Sequence, residues 1–205
     1  MRNLLSFLFI GLIFLSLSSL ATGSPVVGRK APAKFLESPP REVQSKSGDY
    51  FLMLHLGTYQ DSTSWLWKGS EKRSGVGTGT YGLTYFIDEY GQSMDFNLRI
   101  DFNEYKLDDV RPFKMSLLPM LTFPKFETHF PIYFGMGAGL GVFFRQVEEE
   151  SNLSFDYQLV LGVRFLDVIN STGFFMEYGM KNHVQLLSDG QVNGNAISAG
   201  ATFAF

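Results

Sequence analysis

The chain has 205 residues, a formal charge of −3 and no cysteine. That length suits one domain with a sizeable core, and the weak negative charge gives no footprint for nucleic acid. With no cysteine there is no disulfide, no thiolate metal site and no lipid-modified N-terminal cysteine.

Glycine and phenylalanine each occur 21 times and tyrosine 9 times, an aromatic load that favours strands. Arg2 precedes the apolar run Leu4 to Leu20, and Ala21-Thr22-Gly23 supplies small residues before Ser24. This pattern is that of a cleaved secretory signal peptide over residues 1–23, an uncleaved anchor being the other reading of so long a run. Residues 24–47 carry four of the eight prolines with no hydrophobic period, which predicts a flexible periplasmic lead-in. Beyond residue 23 no apolar run reaches the roughly 18–20 residues of a membrane helix.

From residue 48 onward the chain alternates. The first strand, Tyr50 to Tyr59, sets Tyr50, Leu52, Leu54 and Leu56 against Phe51, Met53, His55 and Gly57. A polar loop, Gln60 to Gly75, carries Trp65 and Trp67. Val76 to Ile87 follows, then a turn over Asp88 to Gln92. Ser93 to Asn103 is the clearest strand: Met94, Phe96, Leu98, Ile100 and Phe102 alternate with Asp95, Asn97, Arg99, Asp101 and Asn103. Side chains of successive strand residues point to opposite faces, so one face is wholly apolar and the other wholly polar.

A turn from Glu104 to Val110 leads to a fourth strand, Arg111 to Phe123. Lys114 and Ser116 fall on its inner face, and Pro119 predicts a bulge or strand end. After Pro124 to His129, Phe130 to Phe144 places Gly135, Gly137, Gly139 and Gly141 on one face. Arg145 to Asn152 is an acidic loop. Leu153 to Phe165 repeats the alternation, with Asp156, Gln158 and Arg164 opposite Phe155, Tyr157, Leu159, Leu161 and Val163. Leu166 to Thr172 turns into Gly173 to Lys181, where Glu177 and Lys181 share a face. Asn182 to Gln191 is a polar loop, and Val192 to Phe205 closes the chain.

Eight strands of near membrane-crossing length predict an all-β fold: an eight-stranded antiparallel transmembrane β-barrel over residues 48–205. Closure leaves no strand edge unpaired in lipid. With both termini periplasmic, the first and last loops are extracellular and the longest. Tyr50, Tyr85, Phe102, Phe155, Phe165, Phe174 and Phe205 lie near strand ends, as interfacial aromatic girdles do.

The ending AISAGATFAF, with Phe203 and the terminal Phe205, resembles the C-terminal signal of bacterial outer-membrane barrels. The segments PIYFGMGAGLGV and FDYQLVLGVRF are similar to the small-barrel family that includes the OmpA transmembrane domain, OmpX, OmpW and the opacity proteins. The resemblance implies that the barrel-assembly machinery and periplasmic chaperones handle the chain. It further implies residence in the bacterial outer membrane among its lipids and lipopolysaccharide, as a monomer. A peptidoglycan-binding domain like that of full-length OmpA is not seen after residue 205, which sets cell-wall tethering aside as an expectation.

The inward candidates are His55, Asp95, Arg99, Asp101, Lys114, Asp156, Arg164, Glu177 and Lys181. Four cations face four carboxylates, and unpaired buried charge is costly, so pairing across the lumen is expected. Arg99 flanked by Asp95, Asp101, Asp156 and Glu177 is the expected centre. An eight-stranded interior is just wide enough for side chains to fill, which favours a closed polar core over a gated ion path. The four glycines then make room for opposing side chains such as Arg99 or Phe51, rather than lining a ligand cavity.

Some small outer-membrane barrels modify lipid A with His, Ser and acidic residues. Here His183, Ser188 and Asp189 fall in the last loop, with His55 expected near the rim. No activating constellation is evident, so no catalytic residue is assigned. Three scattered histidines offer no zinc spacing. Glu148 to Glu150 read as a solvated run, although a divalent-cation site shared with lipopolysaccharide is the sharper reading. Neither metal nor cofactor is expected. The sequence thus points to a structural or surface-interaction role through the outer loops. A narrow channel for ions or small hydrophobic solutes, a lipid A-modifying enzyme and a soluble periplasmic ligand-binding barrel remain the alternatives.

Overall fold

The computed structural model describes residues 50–69 and 71–205; the expected signal peptide and lead-in lie outside the described residues. These residues form one closed antiparallel sheet. Its wall strands are β1 (Phe51–Trp65), β3 (Gly77–Tyr90), β4 (Met94–Tyr105), β5 (Phe113–Phe123), β6 (Ile132–Arg145), β7 (Leu153–Ile169), β8 (Thr172–Gln185) and β9 (Gln191–Ala204). A three-residue strand, β2 (Lys72–Ser74), pairs only with the upper part of β1. Each wall strand pairs with its chain neighbour, and β1 pairs with β9 from Phe51↔Ala204 to Trp65↔Gln191. Eight strands therefore close with no free edge in the wall.

Polarity is inverted relative to a soluble barrel. Along β7, burial alternates strictly from Leu153 to Arg164. Phe155, Tyr157, Leu159, Leu161 and Val163 face outward and are exposed, while Ser154, Asp156, Gln158 and Arg164 face inward and are buried. Exposed large apolar side chains also stud β1, β3, β5, β6, β8 and β9, and Met94, Phe96, Leu98, Ile100 and Phe102 hold the same face of β4 half-buried. A belt of this extent on every side has no stable place in water. It is the outer surface of a membrane barrel. Among the described residues no helix is long and apolar enough to cross a membrane; the crossing elements are strands.

Several boundaries differ from the sequence expectation; β3 runs on to Tyr90 and β7 to Ile169. β1 continues six residues past Tyr59, because Asp61 to Trp65 pair with β9 after a register shift; rising beyond the apolar belt, that stretch no longer needs alternation. β8 runs on to Gln185, so the last connection spans only residues 186–190 and is not among the longest. Pro119 neither bulges nor ends its strand. It pairs with Leu98 of β4, and the β5–β6 ladder skips Leu118 and Pro119 without a shift in register. The missing N–H of proline is thus absorbed by a gap in one ladder.

The belt makes a direct prediction. Leu159→Arg, mid-strand on β7, is expected to destabilise the barrel by about 2–4 kcal/mol in lipid vesicles, as cations at the bilayer midplane do. Denaturant unfolding in phospholipid checks it. A change within about 0.5 kcal/mol, the scale of ordinary surface substitutions, would mean that this face meets water.

Candidate functional site

The inward faces stack in three layers. At the end holding Tyr50 and Phe205, called the terminal end below, Phe51, Met53, Phe86, Leu118, Met120, Phe126, Tyr133, Val160 and Phe175 form one apolar cluster. At the loop end, Tyr59, Trp67, Val76, Tyr105, Leu107, Phe143, Val147, Val192 and Ala196 form another. Between them lies a layer of charge.

Arg99 is the hub of that layer. Its Nε donates to Asp101 Oδ1 at 2.8 Å, and Nη1 donates to Glu177 Oε2 at 2.8 Å. His55 Nε2 lies 3.2 Å from both Arg99 Nη2 and Asp101 Oδ1. Lys181 Nζ donates to Asp101 Oδ2 at 2.6 Å and to Thr80 Oγ1 at 2.7 Å. The Tyr133 hydroxyl donates to Glu177 Oε1 at 2.6 Å. A second set sits nearer the loops: Lys114 Nζ donates to both Asp156 oxygens at 2.8 Å, and His183 Nδ1 contacts Lys114 and lies 3.0 Å from Asp156. Ser154 Oγ donates to Asp156 at 2.7 Å. With neutral imidazoles each set sums to zero: Arg99 and Lys181 against Asp101 and Glu177, and Lys114 against Asp156. Charges buried away from water and lipid persist only when paired in this way.

Several expected positions are corrected. Asp95 and Asp156 do not flank Arg99. Asp95 sits at the terminal end and accepts from the Phe126 backbone N–H at 2.7 Å. Arg164 is there too, donating to the carbonyls of Pro124 at 3.0 Å, Lys125 at 2.7 Å and Phe130 at 3.2 Å. Both residues pin the turn at residues 124–131. That turn tucks Phe126 into the barrel mouth, where it stacks on Phe51 with ring centroids 4.2 Å apart. His55 is buried in the central layer and not at the rim. His183 is a buried strand residue and not a loop residue. Ser188 bonds Gln185 and the Ser151 backbone, so His183, Ser188 and Asp189 are not assembled as a nucleophile and base.

Sequence reasoning missed Trp67. Read as part of a polar loop, it is fully buried, edge-on to Tyr105 and Phe143, and donates from Nε1 to Gln146 Oε1 at 3.1 Å. Its neighbour Lys68 donates its backbone N–H to Glu150 at 2.8 Å. Outside, Lys68 and Arg73 meet Asp108, and the bond from Arg73 holds that carboxyl below the usual carboxylate range. Loops one, two and three are thus tied together over the barrel. An aromatic in a polar loop is the one signal that marks such a plug.

The β6 glycines face inward against large neighbours, though not Arg99 or Phe51. A Cβ would meet Val160 at Gly135, Met120 at Gly137, the Leu117 carbonyl at Gly139 and Asp156 at Gly141, each closer than 3.0 Å. Their missing side chains are the space the interior fills. A cavity of about 10 Å³ beside Arg99, Tyr133 and Glu177 is scarcely the room of one water. Among the described residues no group of three or more His, Asp or Glu is placed to hold a metal ion. At the seam, Phe203 lies in β9 opposite Leu52, and the Phe205 and Tyr50 backbones exchange hydrogen bonds of 3.0 and 3.3 Å.

Arg99→Ala is expected to cost about 3–5 kcal/mol, because it strands Asp101 and Glu177 in the interior. An unfolding midpoint equal to that of the native chain would show that the layer is solvated.

No protein-family model and no curated protein matches the chain. Among solved structures it is similar to the outer-membrane enzyme PagL, at 15% identity and a TM-score of 0.47, over 76% of this chain and 99% of that one. It is also similar to Neisserial surface protein A (NspA), at 14% identity and a TM-score of 0.46, over 77% of this chain and 97% of that one. The architecture rests on the chain's own topology. Eight antiparallel wall strands, closure of β1 on β9, a lumen of paired charges and an apolar outer wall make it a small eight-stranded barrel of the outer-membrane type.

Proposed function

We propose that the protein is exported to the bacterial outer membrane and serves there as a closed barrel with a structural or surface-interaction role. The observation that carries this reading is the filled lumen: two apolar clusters close its ends and paired charges fill the layer between. Conduction needs a wetted path, and here the interior behaves as a core. The surfaces left for function are the outer wall, in contact with outer-membrane lipids and lipopolysaccharide, and the loop end. Insertion through the barrel-assembly machinery would use the β9 end with Phe203 and Phe205. In this reading the chain works as a monomer, without cofactor, and is not an enzyme.

Two measurements test the reading. Cell fractionation should place the protein in the outer membrane, with folded and boiled forms migrating differently on a gel; recovery as a detergent-free soluble protein would sink it. Purified barrel in planar bilayers should show no steady conductance. Stable unitary currents would turn the ion pairs of the lumen into a gate and favour a channel.

A further inference from the structure

On the outer wall, at the loop end of β3 to β6, lies an open groove of about 590 Å³. Its upper rim carries the exposed cations Lys106, Arg111 and Arg145, and none of the three side chains has an ion-pair partner among the described residues. The single carboxylate in the lining is Glu104, so three positive charges face one negative. Below them the wall is aromatic. Tyr81, Phe102, Phe113 and Phe144 form a continuous row with ring centroids 5.5, 5.9 and 6.0 Å apart.

Two register shifts border this groove. On β6, Phe113 pairs with Arg145 while Lys114 pairs with Phe143, so Phe144 is the extra residue. Without that bulge Arg145 would fall on the inward face with Phe143. With it, Arg145 shares the outer face with Phe113 and Phe144. On β3, Gly77 pairs with Tyr105 and Gly79 with Glu104, which leaves Thr78 extra at the opposite side of the groove. Bulges re-aim side chains in this way beside binding sites.

We propose that this groove binds the phosphorylated headgroup of an outer-leaflet glycolipid of the lipid A class. Lys106, Arg111 and Arg145 take the phosphates through charge-assisted hydrogen bonds, and the lipid's acyl chains lie along Phe113 and Phe144. The occupant follows from two complementary features in one place. Uncompensated cations need an anion, and an aromatic row at the edge of the lipid belt needs a chain that is already in the membrane. A soluble phosphate satisfies only the first. The site rests on the outer-membrane reading above, since only there does the loop end meet that lipid.

The test is titration of the purified full-length protein in neutral detergent micelles with bisphosphorylated lipid A and with the same lipid enzymatically dephosphorylated. Each cation near an anionic lipid surface is worth about fivefold in affinity. Arg111→Gln/Arg145→Gln should therefore weaken binding about twenty-fivefold. Lys72→Gln removes one charge from the same end outside the groove and should bind like the native chain. Heat-modifiable migration verifies that each variant is folded, and Arg145→Gln alone, expected to lose about fivefold, serves if the double variant is not. Affinity of the groove variants equal to that of Lys72→Gln, or equal binding of the dephosphorylated lipid, overturns the proposal. Either result with the protein still in the outer membrane removes only this site, whereas a soluble protein removes the reading beneath it.

Discussion

The structure depends on the pairing of Arg99 with Asp101 and Glu177. These charges come from β4 and from β8, on distant parts of the wall, and they meet in a space that admits neither bulk water nor lipid. Eight strands fix the width of that space. A narrower set of side chains would leave voids, and any unpaired charge would carry the full cost of desolvation. The glycines of β6 and the cations of β4, β5 and β8 are two sides of one packing problem: where the wall supplies no side chain, Met120 and Asp156 occupy the room.

The ends obey a different rule. Each mouth is closed by an aromatic brought in from a connection, Phe126 from a terminal-end turn and Trp67 from the first loop. Asp95 and Arg164 hold the first in place through backbone bonds, and Gln146 receives the second. Buried charge thus does two jobs. In the middle it pairs with charge and ties strands together, whereas at the terminal end it satisfies the backbone of an inward-folded turn. In both arrangements the charged side chains concerned are buried.

Much of this was legible in the sequence because the solvent wrote it there. Met94 to Asn103 and Phe155 to Arg164 alternate strictly because one face meets hydrocarbon and the other meets paired charge. Eight such segments gave the strand number and hence the closure. Legibility failed where that constraint lapses. Above the belt, Asp61 to Trp65 carry polar residues on both faces of the wall, with Ser62 and Ser64 still buried on the inner one, and His183 sits in a strand among polar neighbours of the kind a loop carries. Which cation meets which carboxylate was also hidden. Asp95, four residues from Arg99 and on its face, lies too far along the strand to reach the same layer, and Glu177 reaches it only through the barrel's closure. The bulges at Thr78 and Phe144 leave no mark in the alternation itself, so the outward aim of Arg145 appears only in the register.

The central claim is that the apolar wall meets lipid while the charged face is sealed inside. A chain without cysteine lets a single spin label be placed at will. Labels at Phe155→Cys, Tyr157→Cys, Leu159→Cys, Leu161→Cys and Val163→Cys in turn, in lipid vesicles, report collisions with oxygen, which concentrates in lipid, and with a nickel chelate, which stays in water. The account predicts that oxygen contact dominates at all five positions and peaks near Leu159, falling toward both ends of β7. Dominant nickel contact at Leu159 would contradict it and place this wall in water.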